Sequence, residues 1–301
     1  MDSHDSFQTL NPVLPSPAAD PWVVKHDGTW YSVQAIERTL QLRAAPRISQ
    51  LARVEPRQIW KAPRTGPYSR NIWAPEMHFL EGRWFLYLAA DNGNNDNHRM
   101  FVFEAETPFG PWNFRSMLET DGWAIDGTVL EAEGRRYLVW SGWPGNQNVQ
   151  QNLYIAEMQN PWTLAGRRVL LTEPTEAWEQ VAFPLCEGPQ VLRRNGKTFI
   201  VYSASGSWTA DYCLGMLVNR DGDFLNPASW VKRGPVFKKT DQVWGVGHCC
   251  FAQLPNVGDL IFYHAKTDHK HGWDDRNVRV QSFGWSADGL PEFGQPLAVQ
   301  P

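Results

Sequence analysis

Along this chain apolar residues do not recur at helical spacing: no stretch of 12 residues carries a sustained apolar stripe at i, i+3, i+4, i+7. Short runs rich in Val, Ile, Tyr, Phe and Trp dominate, separated by Gly, Asn, Asp and Pro, which is the pattern of strands joined by turns. Five segments repeat one arrangement: "DPWVVKHDGTWYSVQA" from Asp20, "EMHFLEGRWFLYLAA" from Glu76, "DGTVLEAEGRRYLVWSG" from Asp126, "EGPQVLRRNGKTFIVYSA" from Glu187 and "HCCFAQLPNVGDLIFYHAK" from His248. Each reads as an ionisable residue, a short strand, a turn containing Gly and an aromatic-rich strand.

The starts fall 56, 50, 61 and 61 residues apart, the range of an architecture built from one repeated supersecondary unit. A unit of about 55 residues with four strands is a propeller blade. Outer strands such as "MFVFEAETPFGPW" and "LYIAEMQNPW" end in Pro-containing turns, natural blade boundaries. The pattern predicts an all-β, five-bladed β-propeller forming a single domain from residue 16 to 301. Residues 1 to about 15 are predicted to be an N-terminal arm on the last blade, with the tail "FGQPLAVQP" beside it. The innermost strand of each blade lines a central channel, so Asp20, Glu76, Asp126, Glu187 and His248 should converge near one mouth.

Composition narrows the classes of partner. With 301 residues, 42% of them hydrophobic, the chain is large enough for a substantial core. The net charge is −4, and no run of Lys or Arg could track a phosphate backbone, so nucleic acid is excluded as an expected partner. No apolar run reaches the roughly 20 residues that span a bilayer, and "MDSHDSFQTLNPVL" lacks the basic start and apolar core of a secretory signal. The expectation is no membrane partner and a cytoplasmic location, or secretion if a leader preceded this sequence. Four cysteines, Cys186, Cys213, Cys249 and Cys250, have no metal-site spacing and read as buried thiols. Sixteen Trp are unusual; an indole fills a core, and its flat face also suits a sugar ring.

An acidic residue at one strand start is ordinarily a turn or cap. Several converging in one funnel raise one another's pKa, an arrangement useful for acid and base chemistry. A carboxylate cage for calcium is one alternative, although no loop carries dense DxDxDG spacing. Glycoside cleavage is another, since it needs one protonated and one ionised carboxyl group. Trp22, Trp73, Trp140 and Trp143 stand beside the ring members and offer sugar platforms as well as core packing.

"ADPWVV", "NIWAPEMHF", "AIDGTVL", "CEGPQVL" and "GHCCF", in this order, resemble the five blade signatures of glycoside hydrolase family 43. The resemblance covers about Asn11 to Gln295. It implies a five-bladed propeller acting by inversion on arabinose- and xylose-containing plant polysaccharides. It further implies Asp20 as general base, Glu187 as general acid, and Asp126 as the carboxylate that orients the acid and raises its pKa. His248 matches the family's central histidine, which implies one calcium or other small ion in the channel, held through water, and no organic cofactor. Two cysteines after this histidine depart from the family pattern.

Within the family the chain is most similar to exo-acting α-L-arabinofuranosidases of the α-1,5-arabinan type, with β-xylosidase and endo-arabinanase as alternatives and a carbohydrate-binding propeller without catalysis as a further one. The expected substrate-binding residues are Trp73, Arg279, Gln281, Trp140, Trp143, His98 and Glu76, with "DNGNNDNHRM" on the rim. The expected assembly is a monomer or simple homo-oligomer acting on arabinose-containing oligo- or polysaccharide of the plant cell wall.

Overall fold

The computed structural model describes residues 10–255 and 257–299. Among the described residues twenty strands form five four-stranded antiparallel sheets. Blade 1 holds β1 (Trp22–His26), β2 (Thr29–Ile36), β3 (Thr39–Ala45) and β4 (Arg57–Lys61). Blade 2 holds β5 (Arg70–Leu80), β6 (Arg83–Asp91), β7 (Arg99–Ala105) and β8 (Asn113–Met117). Blade 3 holds β9 (Ala124–Ala132), β10 (Arg135–Gly142), β11 (Asn152–Asn160) and β12 (Thr163–Thr172). Blade 4 holds β13 (Cys186–Arg194), β14 (Lys197–Ala204), β15 (Cys213–Asn219) and β16 (Trp230–Phe237). Blade 5 holds β17 (Trp244–Leu254), β18 (Gly258–Lys266), β19 (Asn277–Trp285) and β20 (Pro291–Glu292). The five-bladed propeller read from the repeat is the fold observed.

Inner strands read as continuous apolar runs because both faces are covered by neighbouring blades. On β10, Leu138 and Trp140 pack into the cluster shared with blade 2, while Tyr137 and Val139 pack into the one shared with blade 4. Each blade junction holds its own apolar cluster. All four cysteines are free and buried in these layers.

The ring closes between blades 5 and 1. Leu14 bridges Val278 of β19, and the Asn11 side chain donates to the Val280 carbonyl (2.9 Å) while accepting the Val280 N–H (2.8 Å). The segment from residue 10 therefore lies on the outer side of β19, continuing the sheet beyond the short β20. Residues 1–9 of the expected arm lie outside the described residues. No helix among those described is long and apolar enough to cross a membrane.

Each innermost strand has left-handed backbone at or near its start, at Asp20 (φ 50°), Ala74 (40°), Asp126 (55°), Gly188 (52°) and His248 (44°), with a second such residue on β5, Asn71 (48°), and on β17, Gly245 (54°). For non-glycine residues this region is uncommon. On β5, β13 and β17 the pairing register shifts at the same place, as at a β-bulge that re-aims a side chain. The true repeat position is therefore occupied by Ala74 and Gly188 in blades 2 and 4, with Glu187 one residue before it and Glu76 two residues beyond it.

Candidate active site

Because every innermost strand starts at the same mouth, the mouth is built from first-strand starts and from the loops between second and third strands. A cavity of about 560 Å³ opens there and is lined by Asp20, Asp126, Glu187 and His248. Trp73, Trp123, Trp208 and Trp273 form its walls, and Asn95, within the loop expected at the rim, contributes an edge. Blades 2 to 5 thus surround the carboxyl groups, and Asp20 enters from blade 1.

Asp20 Oδ1 lies 3.2 Å from His264 Nδ1, 3.3 Å from Arg276 Nη1 and 3.4 Å from His248 Nδ1. Burial alone would raise its pKa. The neighbouring His248 and Arg276 charges and the His264 contact outweigh burial and hold Asp20 well below the usual carboxylate range. It is the ionised carboxylate of the site.

Glu187 is buried and accepts the Tyr212 hydroxyl at Oε1 (2.8 Å). Burial foremost, helped by the negative charge of Asp20, pushes it up to about 7 against the opposing Tyr212 hydrogen bond and Arg276 charge. Glu187 therefore carries a proton through the mildly acidic range. Asp126 is the third carboxyl group: its Oδ2 accepts the Gly188 N–H (2.9 Å) and lies 4.0 Å from His248 Nδ1. Burial, then the charges of Glu187 and Asp20, raise Asp126 well above its ordinary value. Asp126 and Glu187 form a buried acidic pair in which ionising one disfavours ionising the other. The Gly188 bond also ties Asp126 to the residue beside Glu187.

Several expected binding residues lie elsewhere. Arg279 was expected near the sugar, yet it is buried three residues below Arg276, about 10 Å deeper along a strand. Its guanidinium donates to the Leu297 and Lys266 carbonyls and to Asn277 Oδ1. Gln281 donates to the Phe293 and Gln295 carbonyls. Both hold the C-terminal tail against β19 and neither lines the cavity. Arg276, just before β19, is the guanidinium at the mouth.

Trp140 is fully buried in the layer between blades 2 and 3, because its position on β10 points between blades. Trp143 is also buried and stacks on Trp123 (ring centroids 4.7 Å, planes 8° apart), supporting the wall from behind. His98 is buried beneath Trp73, stacked at 4.0 Å, with Nδ1 3.0 Å from Asp91 Oδ2 and Nε2 3.0 Å from the Asn71 carbonyl. It holds Trp73 in place and does not face the cavity. Glu76 lies deeper in the channel, 2.8 Å from His78 Nε2 and bonded to Gln190 from β13. Trp73 lines the cavity, as expected, and is 39% exposed.

Sequence reasoning missed Trp123, Trp208, Trp273, Arg276 and Tyr212. The usable signal was position: Trp208 and Trp273 follow the second strands of blades 4 and 5, as Trp143 follows that of blade 3.

The fold and site define a propeller whose axial funnel holds three carboxyl groups, Asp20, Asp126 and Glu187, under aromatic walls. Residues 9–291 match Glycosyl hydrolases family 43, and the chain belongs to that family. It is 36% identical to "Alpha-L-arabinofuranosidase 43" of Humicola insolens, covering 94% of this chain and 63% of that protein. It is also 36% identical to an "Extracellular exo-alpha-(1->5)-L-arabinofuranosidase" of Streptomyces avermitilis, covering 97% and 64%. The chain thus spans just under two thirds of the length of these curated relatives. The crystal structure of an α-L-arabinofuranosidase from Lactobacillus brevis superposes with a TM-score of 0.92 at 35% identity, covering 100% of both chains.

Proposed function

We propose that this chain is an inverting glycoside hydrolase that releases terminal α-L-arabinofuranose from arabinan or arabino-oligosaccharides. The observation carrying the reading is the convergence of Asp20, Asp126 and Glu187 in one cavity walled by tryptophans; the lowering of Asp20 and the raising of Glu187 to about 7 support base and acid roles for them. The names of the relatives support the sugar. The walls contributed by four blades support exo action, since they enclose a chain end better than they pass a continuing polymer.

In the proposed reaction Asp20 takes a proton from water as its oxygen bonds to the anomeric carbon. The bond from that carbon to the leaving oxygen breaks, and Glu187 gives its proton to that oxygen. A single displacement inverts the anomeric configuration. Arg276 and His248 keep Asp20 anionic before attack. Trp73 presents a flat apolar face to the sugar.

The resemblance also implied an ion near His248. His248 Nδ1 faces the Asp20 and Asp126 carboxyls, and among the described residues no three His, Cys, Asp or Glu side chains converge on an ion position. These residues do not fit a directly ligated cation, and no step uses one. An ion held through water implies a loss of activity or melting temperature in EDTA that calcium restores; no change in either would remove the ion.

Incubation with linear α-1,5-arabinan, arabinoxylan and aryl glycosides of arabinofuranose and xylopyranose tests the reading. Arabinose alone from linear arabinan is expected. An oligosaccharide ladder would indicate endo-arabinanase, preferential xylose release a β-xylosidase, and binding without products a lectin.

A further inference from the structure

We propose that Tyr212 is a positioning residue for the proton donor, its hydroxyl fixed so that it supports the negative charge Glu187 takes on as the leaving oxygen departs. The inference rests on the reading of Glu187 as the acid.

Tyr212 directly precedes β15 at the mouth and is fully buried. Its hydroxyl donates to Glu187 Oε1 at 2.8 Å. Beside it, Ser203 Oγ accepts the His248 N–H at 2.7 Å. Burial, first among several causes, raises the Tyr212 pKa well above its ordinary value, so the group remains a phenol.

The ring is held as firmly as the hydroxyl. Tyr212 lies parallel to His264, with centroids 5.5 Å apart and planes at 7°. His264 Nδ1 is 3.2 Å from both the Asp20 backbone nitrogen and Asp20 Oδ1. One stacked pair therefore touches the acid through Tyr212 and the base through His264. Gly247 also abuts the ring: a Cβ there would approach the Tyr212 ring carbons to 2.3 Å and 2.5 Å. The ring occupies space that only glycine leaves, which gives a physical role to Gly247 in "GVGHCC".

Five groups face Glu187 besides solvent: Asp20 before β1, Asp126 on β9, His248 on β17, Arg276 before β19, and Tyr212. Tyr212 is the one whose hydroxyl donates directly to the Glu187 carboxyl. A hydrogen bond to an ionised acceptor is stronger than one to its protonated form, so the contact strengthens as Glu187 loses its proton. A phenol assists departure without fixing Glu187 as a permanent carboxylate, as a second guanidinium there would.

Tyr212→Phe keeps the stack and removes the donor. A ¹³C-carboxyl NMR titration of Glu187 in the variant should show its pKa raised by about one unit, the size of one hydrogen bond to a charged group. The basic limb of kcat/KM on α-1,5-arabinobiose should move to higher pH by the same amount, and kcat at the optimum should fall roughly tenfold. The loss should be smaller on an aryl arabinofuranoside with an acidic phenol. Gly247→Ala, which displaces the ring, should move the limb in the same direction. An unmoved Glu187 titration in Tyr212→Phe, or equal losses on both substrates with an unmoved limb, would reduce Tyr212 to packing and overturn the proposal. Because the NMR readout needs no turnover, wild-type enzyme inactive on arabinofuranosides would refute the proposed function separately.

Discussion

Replacing Glu187 by Gln keeps the shape of the side chain and removes the proton it donates. In the unaltered protein Glu187 is pushed up to about 7, burial being the foremost cause, so its proton is lost between about pH 6 and pH 8. Only the protonated form can donate, so kcat/KM on α-1,5-arabinobiose should drop about tenfold between those two pH values. Asp20 lies well below the usual carboxylate range and stays ionised throughout, so the base contributes nothing to this limb. Glu187→Gln should lower the rate on arabinobiose by roughly 10²–10⁴-fold and abolish the basic limb. A p-nitrophenyl arabinofuranoside releases an acidic phenol that needs little protonation, so its loss should be less than about tenfold. Initial rates on both substrates from pH 4.5 to 9, for both proteins, complete the assay. Equal losses on the two substrates, or a variant that keeps the limb near pH 7, would refute Glu187 as the acid.

Asp20→Ala removes the group that activates water, so the rate should fall roughly 10²–10⁴-fold on arabinobiose and aryl glycoside alike; rescue by the better leaving group, read from the same rates, would reverse the assignments. Trp73→Ala removes an exposed platform and should raise KM roughly tenfold with a smaller change in kcat, measured by steady-state kinetics on arabino-oligosaccharides. Arg279→Met should leave KM unchanged while costing about 2–3 kcal/mol of stability, because buried carbonyls of the C-terminal tail lose their donor. The melting temperature would then fall by roughly 5 °C, whereas a raised KM at unchanged stability would return Arg279 to the sugar site.

The fold was legible because a blade that cannot bury its faces alone must repeat its pattern, and five strand starts repeat it visibly. The four ionisable residues that line the cavity were legible for a related reason: Asp20, Asp126, Glu187 and His248 carry ionisable groups where burial otherwise rules. What sequence could not convey was depth. Arg276 and Arg279 are three residues apart on one approach to β19, and a strand carries the second away from the mouth. Glu76 looked like a ring member, yet the left-handed turn falls on Ala74 and leaves Glu76 deeper in the channel. Trp140 and Trp143 follow the aromatic pattern of a sugar wall, but faces between blades demand the same residues. Tyr212 gave no signal, since its role depends on the space at Gly247, a residue 35 positions away.

The central claim, that Asp20 and Glu187 cleave a terminal α-arabinofuranosyl bond by one displacement, is tested most directly by ¹H NMR during the first minutes of α-1,5-arabinotriose hydrolysis. The account predicts arabinobiose and free arabinose that first appears as the β-furanose anomer, before mutarotation mixes the forms. Free arabinose appearing first as the α anomer would show retention, and the single-displacement roles of both carboxyl groups would be wrong.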